Sequence, residues 1–260
     1  MEICTREHPI RFSYTRFPIR EDTVFQKDMH VEYELFLFPE GGFSYVVEGQ
    51  KYAITPYTVL LVPPNTYHFA VSEGEGVYCR YALAFKGNAI EAGLPETVLE
   101  QPICYGLEEA HPVVQLFRQL KLLRTEALAD YDDLLLKSFC TQILLGILAR
   151  QRRPVTEANP PEQTLAYPLI GYLEANLTTI RSVEEIAAHF FVSPSTIAHH
   201  FKSRMGISIM KYIRHKRLLL AKSLLEKGEK PQKAAEKAGF GEYSTFYKAY
   251  IRQFGTPPGK

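Results

Sequence analysis

Three side chains in the N-terminal third of the chain are of the types that bind transition metals. They are His30, Glu34 and His68. Imidazole nitrogens and carboxylate oxygens suit iron, manganese or zinc. The three could form a thin metal site, or they could line a cavity and bond to loop backbone, as single His and Glu residues usually do. We expect the second arrangement, with no metal, no other cofactor and no catalytic residue.

A second group of residues in this region could hold an organic ligand. The candidates are His30, Glu34, Phe43, Tyr45, Arg80 and Tyr81. The three aromatic rings could stack on a sugar or an aromatic molecule, and the other three side chains could fix its orientation. Each ring could equally belong to the hydrophobic core. The sequence therefore predicts a ligand site here and leaves the core alternative open for each ring.

The C-terminal part of the chain contains a helix–turn–helix pattern at 183–205. Ser182 is a typical N-cap residue, and Glu185 three positions later completes a capping box. Ser193 is a second N-cap, followed by Pro194 at the first helical position, where proline fits well. The outer face of this second helix carries small or polar side chains, namely Ser195, Thr196, Ala198, His199 and Lys202.

The same plan is repeated at 231–254. Gly239 supplies the turn, because glycine adopts a positive φ at little cost. In the helix that follows, Phe246 and Tyr250 are expected to be buried. The exposed positions of that helix are Tyr243, Ser244, Tyr247, Lys248 and Arg252.

A basic amphipathic helix is predicted between the two patterns, at 208–226. At roughly 1.5 Å per residue it is about 28 Å long. Successive major-groove faces on one side of a duplex are roughly 34 Å apart. The second helix of each pattern could therefore reach the same side of one duplex if the DNA bends or the helices tilt.

The charge of the chain is divided along its length. Residues 164–260 contain 15 Lys and Arg against 7 Asp and Glu, a formal charge of +8, whereas residues 1–163 have a formal charge of −7. A basic region beside an acidic one is typical of nucleic-acid binding by one half only.

The pattern of apolar residues predicts an α+β protein of two domains. Residues 1–108 alternate apolar and polar side chains between turn signals, as in an antiparallel β-barrel. Residues 109–151 change to helical periodicity and predict two amphipathic helices, each with an apolar stripe that could pack on the barrel or pair with a second subunit. The first stripe is Val113, Leu116, Phe117, Leu120 and Leu123, and the second is Leu134, Leu135, Phe139, Ile143 and Ile147. Proline-rich residues 152–163 are predicted to be a linker, and residues 164–260 an all-α domain.

The cysteines and the lengths of the apolar runs indicate the cellular compartment of the protein. The four cysteines are far apart, which is typical of free thiols rather than of a disulfide framework or a zinc site. No apolar run is long enough to span a bilayer. The sequence predicts a soluble, cytoplasmic protein without membrane contact.

With both patterns and the basic helix in place, residues 165–258 resemble the AraC-type family of bacterial transcription regulators, named for the arabinose-operon regulator. The residues that carry the resemblance are Ser193, Pro194, Ile197, Phe201, Gly206, Tyr212, Arg217, Gly239, Phe240, Phe246, Phe254 and Pro257. The resemblance implies base contacts from the exposed positions of the two second helices and phosphate contacts from Lys202 and Arg252. Ser195 and Ala198 are smaller than the family's usual residues, and Phe191 is less suited to a turn.

The N-terminal half resembles, more faintly, the cupin-like effector domain of the same family. The similar segments are 30–35 and 52–68. In metal-binding cupins a second histidine stands two residues after the first, but here that position is Glu32. This departure supports the expectation that no metal is bound.

The resemblance implies a ligand-controlled transcription regulator rather than an enzyme. The implied partners are double-stranded DNA, a small-molecule effector such as a sugar or related metabolite, RNA polymerase, and a second copy of the chain that pairs through the helices at 109–151. Two alternatives stay open: a metal-dependent cupin enzyme fused to a DNA-binding domain, and a ligand-independent regulator whose barrel only dimerises.

Overall fold

The structure, a computed structural model, describes residues 9–89, 99, 101–125, 131–151 and 166–259. These residues cluster into two compact units. The first unit contains the strands and the first two α-helices. The second contains the remaining helices, together with the short segments Met29–Val31 and Glu48–Gln50. The predicted linker at 152–163 lies outside the described residues.

The first unit is built from two antiparallel sheets, as the alternation predicted. Its strands are β1 (Ile10–Ile19), β2 (Tyr33–Phe38), β3 (Phe43–Val47), β4 (Gln50–Ile54), β5 (Thr58–Val62), β6 (His68–Ser72), β7 (Gly76–Phe85) and β8 (Ile103–Gly106). A five-stranded sheet has the order β1-β7-β2-β5-β8, and a three-stranded sheet has the order β4-β3-β6. A short 3₁₀ turn at Gly87–Ala89 follows β7.

The two sheets enclose an aromatic cluster, which we call the intersheet interior. The five-stranded sheet contributes Phe36, Phe38 and Tyr78, and the three-stranded sheet contributes Phe43 and Tyr45. Phe36 and Phe38 are two residues apart on β2, as are Phe43 and Tyr45 on β3. Because side chains alternate between the faces of a strand, each pair lies on one face. The burial of their rings contributes to the hydrophobic stabilisation of this unit.

The helices α1 (Pro112–Thr125) and α2 (Asp132–Gln151) cover the other face of the five-stranded sheet. Val113, Phe117 and Leu120 of the first predicted stripe are buried there, and Ile143 and Ile147 of the second join them. These stripe residues are therefore core of their own unit, which is the first of the two alternatives left open by the sequence. Leu134 differs from the rest of its stripe, because 68% of it is exposed.

The second unit contains six described helices. They are α3 (Ala166–Ala175), α4 (Val183–His189), α5 (Pro194–Met205), α6 (Ile209–Glu226), α7 (Pro231–Lys237) and α8 (Tyr243–Phe254). The pairs α4–α5 and α7–α8 fall at the two predicted helix–turn–helix patterns, and α6 is the predicted helix between them.

The predicted caps set the boundaries of the first pair. The hydroxyl of Ser182 accepts a hydrogen bond from the backbone N–H of Glu185 at 3.4 Å, and that of Ser193 accepts one from Thr196 N–H at 3.1 Å. Gly206 ends α5 with a φ of 67°, the left-handed conformation that favours glycine. None of the described helices has the length and apolar character needed to cross a membrane.

Candidate nucleic-acid interface and ligand site

Helix α5 presents a polar face because its apolar residues recur at helical spacing. Ile197, Phe201 and Met205 lie one turn apart and are buried, which leaves the opposite face in solvent. On that face Ser195, Thr196, His199 and Lys202 are exposed and Ala198 is half-buried. The five sequence-predicted positions therefore share one accessible surface.

Helix α8 presents a second face of the same kind. Phe246 and Tyr250 are buried, and Phe240 and Phe254 pack against them. Rings and charges cover the outer face, where all five predicted residues are exposed: Tyr243, Ser244, Tyr247, Lys248 and Arg252. The Tyr243 and Tyr247 rings lie 6.1 Å apart between centroids, so they form one aromatic edge.

The N-terminus of α5 is held by a network of hydroxyl groups. Ser193 Oγ lies 2.9 Å from Ser195 Oγ and 2.7 Å from Thr196 Oγ1. The Ser195 and Thr196 hydroxyls are therefore partly engaged in the cap, whereas His199 and Lys202 project from the next turn of the helix. This division could not be seen from the spacing alone.

The two helix–turn–helix turns differ in strain. Gly239 has a φ of +85°, and a Cβ added there would lie 2.5 Å from the carbonyl oxygen of Thr178. Phe191, in the first turn, has a φ of 55° and is 96% exposed. A positive φ is energetically unfavourable for residues other than glycine. The backbone at Phe191 is therefore strained, which agrees with its poor suitability for a turn.

Part of the predicted basic surface of α6 is internal. Lys216 and Arg217 are buried. Arg217 donates from Nε to the carbonyl oxygen of Leu177 at 2.8 Å and from Nη2 to that of Ile180 at 2.6 Å. Lys216 Nζ lies 2.7 Å from Glu174 Oε1. These two charges stabilise the second unit, so the charge available to DNA is smaller than the formal count.

In the first unit, Glu34 and His68 form a pair at the edge of the intersheet interior. Glu34 Oε2 lies 3.0 Å from His68 Nε2, and His68 Nδ1 lies 2.8 Å from the carbonyl oxygen of Thr66. A carbonyl oxygen only accepts hydrogen bonds, so Nδ1 must carry a proton. The ring of His68 is thus held between the Thr66 carbonyl group and the Glu34 carboxylate.

Arg80 lies on the same face of the five-stranded sheet as Phe36. Its guanidinium carbon is 5.1 Å from the centroid of the Phe36 ring and 5.7 Å from that of Tyr78. Burial acts to lower the pKa of Arg80, but the nearby Tyr78, Tyr45, Glu34 and Asp28 outweigh it, and the pKa lies above its ordinary value. Arg80 therefore stays charged inside an aromatic environment.

The rings of Phe43 and Tyr45 lie in the same interior. The Tyr45 and His68 rings are stacked with their centroids 6.1 Å apart, and the centroids of the Phe43 and Tyr78 rings are 5.0 Å apart. Burial, followed by the proximity of Tyr78 and Glu34, raises the pKa of Tyr45 well above its ordinary value. Sequence reasoning missed Tyr78, although its position two residues before Arg80 places it on the same face of β7.

One predicted ligand residue, Tyr81, does not join this group. Tyr81 lies on the opposite face of β7, where its ring contacts Tyr14 at 5.0 Å and Phe117 at 5.8 Å, so it is core under α1. His30 belongs to Met29–Val31, which clusters with the second unit. The first unit therefore brings together Glu34, Phe43, Tyr45 and Arg80, and the three-ligand metal site stays a hypothesis.

Comparisons with protein-family models match both parts of the chain. The AraC-like ligand binding domain matches residues 15–144, and a helix-turn-helix domain matches residues 186–260. The first match runs from within β1 to within α2. The second covers both helix pairs from within α4 onward.

Curated relatives are transcription regulators. The chain is 31% identical over 140 residues to the probable transcriptional regulator LumQ of Photobacterium leiognathi. The aligned residues cover 54% of this chain and 56% of LumQ. It is 23% identical over 220 residues to the arabinose operon regulatory protein of Salmonella typhimurium, covering 82% and 76% of the two chains. The chain thus spans little more than half the length of LumQ and about three quarters of the arabinose regulator.

Solved structures match this chain only at low similarity. ToxT of Vibrio cholerae with an unsaturated fatty acid bound has a TM-score of 0.41 and 16% identity, covering 98% of this chain and 95% of ToxT. The DNA-binding domain of AdpA with a target DNA has a TM-score of 0.34 and 25% identity, covering 35% of this chain and 84% of that domain. Scores this low carry no weight for the function of this chain.

Proposed function

Because the chain belongs to the AraC-type transcription regulators, we propose that α5 and α8 read specific sites on duplex DNA and that a small molecule in the intersheet interior controls this binding. The observation that carries the proposal is the pair of exposed polar faces, each on the second helix of a helix–turn–helix. Two such faces in one unit suit two successive major-groove segments.

The residues on these faces divide by chemistry. His199, Tyr247 and Ser244 offer donors and acceptors that suit the edges of bases. Lys202, Lys248 and Arg252 carry charges that suit phosphates, although Lys and Arg also read guanine. The half-buried Ala198 offers only a methyl group, which suits contact with thymine. Ser195 and Thr196 are held by the cap and suit contacts close to the helix N-terminus.

The test begins with selection of a binding site from random duplexes by the full-length protein. Affinity for the selected site and for a scrambled duplex is then measured for the wild type and for single variants on each face. Loss of sequence preference in variants of both α5 and α8 supports the proposal. Preference that survives removal of every exposed side chain on α8 contradicts the role of that helix.

Control by an effector is supported by the polar group inside the first unit. Glu34, His68 and Arg80 lie beside aromatic rings, which is the composition of a ligand site: apolar walls with a few placed polar groups. The sequence predicted a sugar or related metabolite, and stacking on Tyr45 is compatible with one. Addition of the effector is expected to change the Kd for the selected DNA site.

The expected protein partners are a second copy of this chain and RNA polymerase. A homodimer would suit paired DNA sites. Since most of the predicted stripe is core, the dimer would use the exposed positions of α1 and α2, where Leu122, Leu134 and Leu145 are 63%, 68% and 53% exposed. A regulator of this kind would act in the bacterial cytoplasm, where the DNA is.

A further inference from the structure

One donor of Arg80 is buried without an acceptor. Its Nε is shielded from solvent and finds no hydrogen-bond partner among the described residues. A buried donor without an acceptor is destabilising, and more so when the group is charged. Arg80 lies on β7 between the buried Tyr78 and Ala82, and so on the face of the strand that lines the intersheet interior. An acceptor for its Nε–H would therefore come from that interior.

The charge around Arg80 favours an anion as that acceptor. The Glu34 carboxylate is already engaged by His68, whose Nε2 lies 3.0 Å from Glu34 Oε2. Among the described residues Arg80 has no ion pair. Asp28, the other carboxylate that acts on Arg80, already accepts a hydrogen bond from Gln26 Nε2 at 2.7 Å. The guanidinium therefore has carboxylates nearby but no direct ion pair, which an anion on a bound molecule could supply.

The surroundings of Arg80 favour an apolar body on the molecule that supplies the anion. Phe36 and Tyr78 lie against the guanidinium, and Phe38, Phe43 and Tyr45 continue the aromatic surface. This end of the interior is not sealed, because the Glu34 side chain is 17% exposed and Arg80 is only half-buried. Part of each of these two polar side chains is therefore in contact with solvent.

We propose that the effector is a carboxylic acid with an apolar body, whose carboxylate binds Arg80 while its body lies against Phe36, Tyr45 and Tyr78. This inference rests on the proposed control by an effector and names its chemical class. An arginine–carboxylate contact is charge-assisted and about twice as strong as one between neutral groups. A neutral sugar could accept a hydrogen bond from Arg80 Nε but would not offset the positive charge of the guanidinium.

The test uses full-length protein and pairs of ligands that differ only at the polar end. Calorimetric titration compares 3-phenylpropionate with 3-phenylpropanamide and octanoate with octanamide, and includes arabinose and glucose as neutral sugars. We expect at least one acid to bind with a Kd tenfold or more below that of its amide. This comparison needs no variant, so it does not depend on the folding of one.

Variants then assign the preference to Arg80. Arg80→Gln should abolish the preference for the acid, and Arg80→Lys, which keeps the charge but loses the Nε–H, should reduce it. Arg16→Gln is the matched control, because Arg16 is an exposed arginine on the neighbouring strand β1 that pairs with Glu40. It should leave the preference unchanged. Circular dichroism establishes that each variant is folded.

Several outcomes overturn the proposal. They are equal Kd values for acid and amide in both pairs, no binding of any acid at millimolar concentration, and a preference that survives in folded Arg80→Gln. Binding of a sugar alone would overturn the acid and leave effector control standing. Effector control itself fails if a bound ligand of either kind leaves the Kd for the selected DNA site unchanged.

Discussion

Arg217 of α6 donates a hydrogen bond from Nη2 to the carbonyl oxygen of Ile180 at 2.6 Å, and so it joins α6 to the segment that precedes α4. A second bond from its Nε goes to Leu177 O. Burial, followed by the nearby charge of Arg181, lowers the pKa of Arg217 below its ordinary value. This arginine is a structural residue in the basic half of the chain, and its neighbour Arg214, on the exposed side of the same helix, serves as the comparison.

Arg217→Gln should lower the free energy of unfolding of the second unit by about 2–3 kcal/mol, because it leaves buried carbonyl oxygens without their donors. Arg214→Gln should change stability by less than about 0.5 kcal/mol, as most surface substitutions do, and should weaken DNA binding instead. Urea unfolding and fluorescence anisotropy on the same samples measure both effects. Equal stability of the two variants would contradict the structural role of Arg217.

Gly239→Ala should destabilise the second unit by more than about 1 kcal/mol, because alanine at a positive φ is strained and its Cβ would also meet Thr178 O at 2.5 Å. Gly255→Ala is the matched control. Gly255 also has a positive φ, +72°, but a Cβ there meets nothing within 4 Å, so only the conformational cost applies. Thermal unfolding should rank Gly239→Ala below Gly255→Ala, and the reverse order would be inconsistent with close packing at Thr178.

His199→Ala should reduce the preference for the selected site over a scrambled duplex, costing about 1–3 kcal/mol if the ring reads a base. Lys202→Ala should weaken both duplexes alike, because a phosphate contact carries no sequence information. Anisotropy titrations with both duplexes separate the two effects. If His199→Ala weakens cognate and scrambled DNA equally, its assignment to a base is wrong.

Leu120→Glu should unfold the first unit, because Leu120 is fully buried under the sheet and an unpaired charge there is costly. Leu122→Glu, at a 63% exposed position two residues later, should leave the fold intact and favour the monomer if this side of the helix is part of a dimer. Sedimentation with circular dichroism measures both properties. A folded wild-type monomer at high micromolar concentration would exclude the homodimer.

The sequence predicted the elements well where a local rule acts. Ser193 with Pro194 and the glycine at 206 determine the ends of α5 by capping, which depends only on neighbouring residues. The faces of α5 and α8 follow from the spacing of Ile197 with Phe201 and of Phe246 with Tyr250.

It failed where a residue's surroundings are not local. Both faces of β7 are apolar, so alternation separates Tyr81 from Arg80 without showing which face encloses a ligand site. Arg217 has the same charge as Arg214, and only the positions of distant carbonyl groups show that one is internal. The stripe on α1 has the same period whether its partner is the unit's own sheet or a second subunit.

The most direct test of the central claim is the salt dependence of DNA binding by the segment 164–260 alone. Its exposed basic residues should contact several phosphates, and log K should then fall linearly with log salt concentration, with a slope near −0.9 for each phosphate contacted. We expect a folded fragment that binds duplex DNA with a slope steeper than about −3 and prefers the site selected by the full-length protein. A folded fragment whose DNA affinity is absent or independent of salt would contradict the account.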